Sequence, residues 1–200
     1  IFAGAVQRPR LDPALFDPQT AQMVPRLMAA MASGDDATLR EVIAIFEDFG
    51  FAVVGVETIA RDLLPSAAVL AGQITAQDEA DAARAASIVA ALGAVDVGQG
   101  AVVAQGLCLG VETLGGTDAM LAVVAGLPQA LRPKGGLFYK AAKSAQDRRI
   151  DLPTLGPATV DAVAAAGLSG LCFQAGSVIC LDLPEMQARA VQHGLLLWAR

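Results

Sequence analysis

The sequence predicts an α/β protein, a mixed sheet with flanking helices, and three observations carry that prediction. Short apolar runs of strand length alternate with segments of helical period through most of the 200 residues. Glycine and proline fall at the borders between them, where turns and helix ends need them. At 54% hydrophobic and 17% charged residues, the chain can bury a core and is globular rather than disordered. No apolar run approaches the ~18 residues needed to cross a membrane. A net charge of −6 and a pI near 4.7 argue against nucleic acid as a partner, which needs a broad basic surface.

Each element has its own reason. Residues 1–19, with Pro9, Pro13 and Pro18, read as an extended arm. The opening IFAG reads like the end of a strand already under way, so the expectation is a fragment whose preceding domain is missing. A helix over 20–32 contains Pro25, which confines or kinks it. Asp35 and Asp36 then cap a helix carrying Leu39, Val42, Ile43, Phe46 and Phe49 on one face, stopped by Gly50, and 51–56 follows as a buried strand. Residues 78–92 form a second amphipathic helix with Ala82, Ala85, Ala86, Val89 and Leu92 inward and Asp78, Glu79 and Asp81 in its first turn. Residues 101–104 and 107–112 read as a hairpin about Gln105-Gly106. A helix over 117–124 ends at Gly126, and 137–140 is strand-like. Gly156-Pro157 opens a helix closed by Gly167. Residues 171–174 and 177–181 are short strands, Asp182 and Glu185 start the last helix, and 195–198 is the final strand.

Charge is concentrated in one place. Six of the fourteen Lys and Arg residues lie between Arg132 and Arg149, against the single acid Asp147, a local net charge of +5. Such a stretch suits a compact anion such as phosphate, and a solvated basic loop explains it equally well. Asp151 follows directly, beside the Pro157 helix start. Its carboxylate can bind a metal or position water, or it can simply cap a turn or pair with Arg148 or Arg149. Among the other acids, Glu112 and Asp118 sit at element ends, where a scaffold delivers functional groups.

The remaining motifs read as structural. Asp96-Val97-Gly98-Gln99-Gly100 and Gly115-Gly116-Thr117-Asp118 lack the GK[ST] of a phosphate loop, and spacing alone favours ordinary turns, although the second could bind an anion through backbone N–H groups, with Thr117 or Asp118 capping the helix. The single histidine, His193, sits in the last turn of a helix, with no second histidine for zinc and no GxSxG elbow. Cys108, Cys172 and Cys180 lie in apolar runs without CxxC spacing and are expected as buried thiols.

Five segments taken together resemble one family, the UDP-2,3-diacylglucosamine pyrophosphatases of the LpxI type. They are GDDATLREVIAIFEDFGF (34–51), DVGQGAVV (96–103), VE with GTDAML (111–121), K..K..Q (140–146) and RIDLPTLGPAT (149–159). FAGAVQRP (2–9) is similar to the family's bridge from its N-terminal domain. The resemblance implies a single C-terminal catalytic domain over 34–200, with 1–33 an interdomain arm and leading helix and the Rossmann-like N-terminal domain absent, so that the fragment alone risks inactivity.

The same resemblance implies hydrolysis of the diphosphate of UDP-2,3-diacylglucosamine to UMP and lipid X in lipid A biosynthesis, with Mg²⁺ as the metal. Its catalytic aspartate falls on Asp151. Lys140, Lys143, Gln146 and Arg149 are then expected on the diphosphate, Gly116 and Thr117 on the sugar phosphate, and Asp118 with Asp151 on the metal. An acyl groove is implied, with Met120, Leu121, Val124 and Leu127 as candidates, although a core stripe fits those four better. The family is cytoplasmic, with peripheral contact to the inner membrane left open. This chain has Gly115 where the family often has an acid, and Ser144 in place of a proline. A non-catalytic nucleotide- or acyl-sugar-binding domain, or a diverged paralogue, is the alternative those departures leave.

Overall fold

The computed structural model describes residues 1, 2, 4, 12–144 and 146–200. The bridge-like segment 2–9 therefore lies almost wholly outside the described residues. The chain divides into two compact units, one of residues 1–59 with 146–151, the other of residues 60–145 with 152–200.

The first unit is helical. Helix α1 (Pro18–Ala32) is capped by Asp17, whose carboxylate accepts from the Gln19 and Thr20 N–H groups at 2.8 and 2.9 Å, and Pro25 is accommodated inside it. Helix α2 (Asp35–Asp48) packs on α1, and Arg26 bridges them by pairing with Glu41 and Asp48. The border expected at 33/34 thus falls inside this unit, between two helices that pack together.

Three expectations are corrected here. Gly34, at φ +115°, occupies the cap position of α2, so the aspartates open the helix rather than cap it. Ile43 and Ile45 of α2 are buried, whereas Phe46 and Phe49 are exposed. Residues 51–55 are not a strand and lead into the short helix α3 (Val56–Ile59). No described residue of this unit offers a strand edge to pair with, and an unpaired strand leaves its backbone groups unsatisfied. Instead the exposed Phe51 ring meets Phe46 edge-on at 6.0 Å, and Phe46 meets Phe2 at 5.1 Å.

The second unit is a mixed sheet between helical layers. Its strands are β1 (Ala68–Ala71), β2 (Gly100–Ala104), β3 (Leu107–Val111), β4 (Leu137–Lys140), β6 (Gly170–Phe173) and β8 (Leu196–Ala199), in the order β1-β8-β6-β4-β2-β3. The central strands β4, β6 and β8 run parallel, while β1, β2 and β3 pair antiparallel. A separate two-residue parallel pair joins β5 (Thr154–Leu155) to β7 (Ile179–Cys180).

One sheet face packs on α4 (Ala76–Ala94), whose Ala82, Ala85 and Val89 meet Ala101, Val103, Leu137 and Tyr139. The small alanines let the helix lie close to the strands. The other face meets α5 (Gly116–Ala125), α6 (Pro157–Ala165) and α7 (Leu183–His193), with Val102, Phe138, Leu171, Phe173 and Leu197 in the core. Met120, Leu121 and Val124 belong to this core, so they line no acyl groove. Burying each such side chain stabilises the fold by roughly 1.5–3 kcal/mol.

Local signals explain the ends. Thr75 and Asp78 form a reciprocal capping box for α4. The buried Asp81 accepts from the Gln105 and Gly106 N–H groups at 2.9 and 2.8 Å, tying α4 to the β2–β3 turn. Cys172 and Cys180 are buried, and burial pushes both thiols up to about 12. Cys108, by contrast, is exposed on β3, an edge strand. Among the described residues no helix is long and apolar enough to cross a membrane.

Candidate active site

The site grows from the sheet order. Lys140 is the last residue of β4 and pairs in register with Gly100 of β2, whose carbonyl accepts from the Glu112 N–H at 2.8 Å on the other side. Lys140, Gly100 and Glu112 therefore lie side by side across three strands, spanning about 9–10 Å at the usual strand spacing. Long side chains from the two outer positions can meet only if the middle one carries none. An added Cβ at Gly100 would lie 2.9 Å from Glu112 Oε2, and one at Gly98 would lie 2.0 Å from the Glu112 carbonyl oxygen. The glycines of DVGQG, expected to be plain turn residues, thus make room for Glu112.

The result is a buried polar cluster. Lys140 Nζ donates to Glu112 Oε2 at 2.8 Å and to Thr117 Oγ1 at 2.6 Å, and Thr117 donates its hydroxyl proton to the same Oε2 at 2.7 Å. Lys140 is 6% exposed and Glu112 9%. Thr117 stands in the first turn of α5, whose start is built on Gly116 at φ +75°, a conformation that favours glycine. Asp118 follows, exposed, where the positive end of the helix favours an acid. The cluster sits at the carboxyl end of a parallel strand beside a helix N-terminus, the usual place for a phosphate site in an α/β sheet.

Lys143, three residues beyond β4, pairs with Asp96. Asp96 is the first residue of DVGQG and adopts φ +56°. The two lysines of K..K..Q are thus each held by an acid distant in the sequence.

The other expected residues lie in the helical unit. Arg149 makes a two-pronged pair with Asp147, its Nη2 at 2.8 Å from Oδ2, and reaches Glu47 at 2.7 Å. Hydrogen bonding from Arg149 holds the Asp147 carboxyl below its ordinary value. Arg148 pairs with Glu57 at 2.8 Å. An added Cβ at Gly55 would meet the Arg148 carbonyl oxygen at 3.0 Å, so a bare backbone packs against this segment. Asp151 is exposed with φ +60°, outside the region that most side chains adopt. Gln146 donates from Nε2 to the Asp151 backbone carbonyl and lies 3.5 Å from its Oδ2. The stretch of net charge +5 is therefore no bare cationic loop: Lys140, Lys143, Arg148 and Arg149 each face an acid.

His193 behaves as expected, lying 3.0 Å from Asp161 Oδ1 at the end of α7. His193, then Arg189, hold the Asp161 carboxyl below its ordinary value.

Among the described residues no three His, Cys, Asp or Glu side chains converge on one point, so there is no ready-made metal cage. Magnesium bound with a diphosphate needs only one or two carboxylates, the rest of its shell being water and phosphate oxygen. Asp118 and Asp151, both exposed carboxylates, each fit that demand.

Fold and cluster together define an α/β protein with a buried lysine beside a helix N-terminus, a class suited to phosphorylated ligands. Comparison with known proteins names the family. Residues 65–198 match the model of the LpxI C-terminal domain, and residues 1–63 match that of the LpxI N-terminal domain. A protein of Caulobacter vibrioides named UDP-2,3-diacylglucosamine pyrophosphatase LpxI is 39% identical over 203 residues, covering 98% of this chain and 72% of its own length. The chain belongs to the LpxI family. The reading of it as a C-terminal domain alone is corrected, because residues 1–63 match the N-terminal domain.

Proposed function

We propose that this chain hydrolyses the diphosphate of UDP-2,3-diacylglucosamine, releasing UMP and 2,3-diacylglucosamine 1-phosphate, as a step of lipid A biosynthesis. The observation that carries this reading is the Lys140–Glu112–Thr117 cluster at the start of α5, in a chain 39% identical to a pyrophosphatase of that name.

The chemistry asks mainly for charge neutralisation and a placed water. Lys140 and Lys143 neutralise phosphate oxygens, while the Thr117 N–H in the first turn of α5, which Gly116 opens, fixes their orientation. The Asp151 carboxylate orients the attacking water, held by Gln146. Water oxygen bonds to one phosphorus, the bond from that phosphorus to the bridging oxygen breaks, and the bridging oxygen leaves on the other phosphate. Asp118 or Asp151 would hold Mg²⁺ together with the diphosphate, and the bound ion would supply further neutralisation of the developing charge. Arg149 serves as a second phosphate contact by exchanging one of its acids. We place the protein in the cytoplasm, meeting its diacylated substrate at the inner-membrane surface.

The test is UMP release from UDP-2,3-diacylglucosamine, with and without chelator. Release that stops in chelator and returns with Mg²⁺ supports the reading. Substrate binding without UMP would favour a non-catalytic binding domain, and release undiminished by chelator would remove the metal.

A further inference from the structure

We propose that Glu112 is a positioning residue for this site, fixing the Lys140 ammonium and the Thr117 hydroxyl together in the geometry that the reaction requires; the idea rests on the functional reading above. Three observations converge on it. One oxygen, Glu112 Oε2, accepts from both Lys140 Nζ at 2.8 Å and Thr117 Oγ1 at 2.7 Å, so a single acceptor sets the direction of both groups. The Thr117 hydroxyl has one proton, and that proton goes to Glu112; its oxygen accepts from Lys140 at 2.6 Å. Two glycines of one motif make room for Glu112: Gly98 lies against its backbone, and Gly100 lies against its carboxylate and the Phe138 ring.

The remaining Lys140 donor points the chemistry. An ammonium has three N–H bonds, and two of them are engaged with Glu112 and Thr117. The third is left to serve a phosphate oxygen, in a direction dictated by the other two. A lysine on a flexible stem is otherwise a poor director, since its ammonium can swing about four rotatable bonds. Burial at 6% exposure with two fixed partners removes that freedom. The same carboxylate offsets the lysine charge before substrate arrives, so Glu112 contributes placement and not attraction.

That division gives a readout that a purely structural acid would not move. Glu112→Gln keeps the shape and removes the charge. The ammonium still attracts the anion, now without its counter-charge, so KM stays within about twofold or falls. Misplacement by ~1 Å costs up to ~100-fold in rate, so kcat falls at least tenfold. Glu112→Asp keeps the charge on a shorter stem and recovers part of kcat. The double variant Glu112→Gln/Lys140→Met loses far less than the product of the two single losses, because the ammonium to be positioned has gone.

The inference is overturned by a Glu112→Gln enzyme with wild-type kcat, by one whose KM rises tenfold with kcat unchanged, or by single-variant losses that multiply in the double. Should Glu112→Gln fail to fold, Gly100→Ala takes its place, its Cβ pressing on Oε2 and on the Phe138 ring while the charge stays. A severalfold loss in kcat at constant KM is then expected, and wild-type kcat overturns the idea. Calorimetry with inorganic pyrophosphate separates this inference from the functional reading. If wild type releases no UMP, the function falls, while Glu112 is still judged by binding: equal or tighter pyrophosphate affinity in Glu112→Gln upholds it, and tenfold weaker affinity overturns it.

Discussion

Lys140→Met isolates the energetics of the buried cluster. The substitution keeps the length of the side chain and removes its ammonium, leaving the Glu112 carboxylate 9% exposed without a counter-charge. At the observed 2.8 Å, the attraction of the intact pair is about 6 kcal/mol for an effective dielectric near 20. Desolvating two ions costs several kcal/mol each, so the pair itself roughly breaks even. Removing one partner does not, and costs about 3–5 kcal/mol. Each kcal/mol shifts the midpoint of a chain this size by about 2–4 °C, so thermal unfolding followed by circular dichroism should show a drop of roughly 6–20 °C. The double variant with Glu112→Gln should regain most of that drop. A Lys140→Met midpoint within about 2 °C of wild type, below ~1 kcal/mol, would refute the claim that the pair is buried and coupled.

Three further outcomes follow from the same geometry. Gly98→Ala drives a Cβ to within 2.0 Å of the Glu112 carbonyl oxygen, a backbone clash that should cost at least ~1–3 kcal/mol in urea unfolding; an unchanged midpoint contradicts it. Asp147 carries a depressed carboxyl through its Arg149 hydrogen bond, so its contribution is full above the ordinary carboxylate value of about 3.9. It is lost as pH falls through the lower folded value, and stability below about pH 4 should decline more steeply in wild type than in Asp147→Asn. Native protein should react with a thiol reagent at Cys108 alone, and at all three cysteines once unfolded, since Cys172 and Cys180 are buried with thiols pushed up to about 12. Prompt labelling of more than one thiol in the native state contradicts the packing.

Periodic elements were legible because their signals are local. The apolar face of α4, the Gly156-Pro157 start of α6 and the Gly194 end of α7 each lie within a few residues of their cause. Residues 51–56 misled because an apolar run has no strand character without an edge to pair with. Strand β1 escaped notice at four residues on the sheet edge, and β5 at two. The site shows the same limit more sharply. Lys140, Thr117 and Asp151 stand in recognisable motifs, yet the acid that holds Lys140 is 28 residues away in sequence. That pairing comes from the β3-β2-β4 order and an intervening glycine, neither of which a linear charge count can express. The same count saw +5 where the folded chain faces four of those cations with acids from elsewhere.

The most direct measurement is steady-state UMP release from UDP-2,3-diacylglucosamine in Mg²⁺ by wild type and Asp151→Asn, with substrate binding measured in parallel. The account predicts turnover by wild type and a loss of at least ~100-fold in kcat for the variant, with binding retained within a few-fold. Wild-type turnover by Asp151→Asn would remove that carboxylate from the mechanism, and no UMP from the wild-type chain would contradict the proposed function itself.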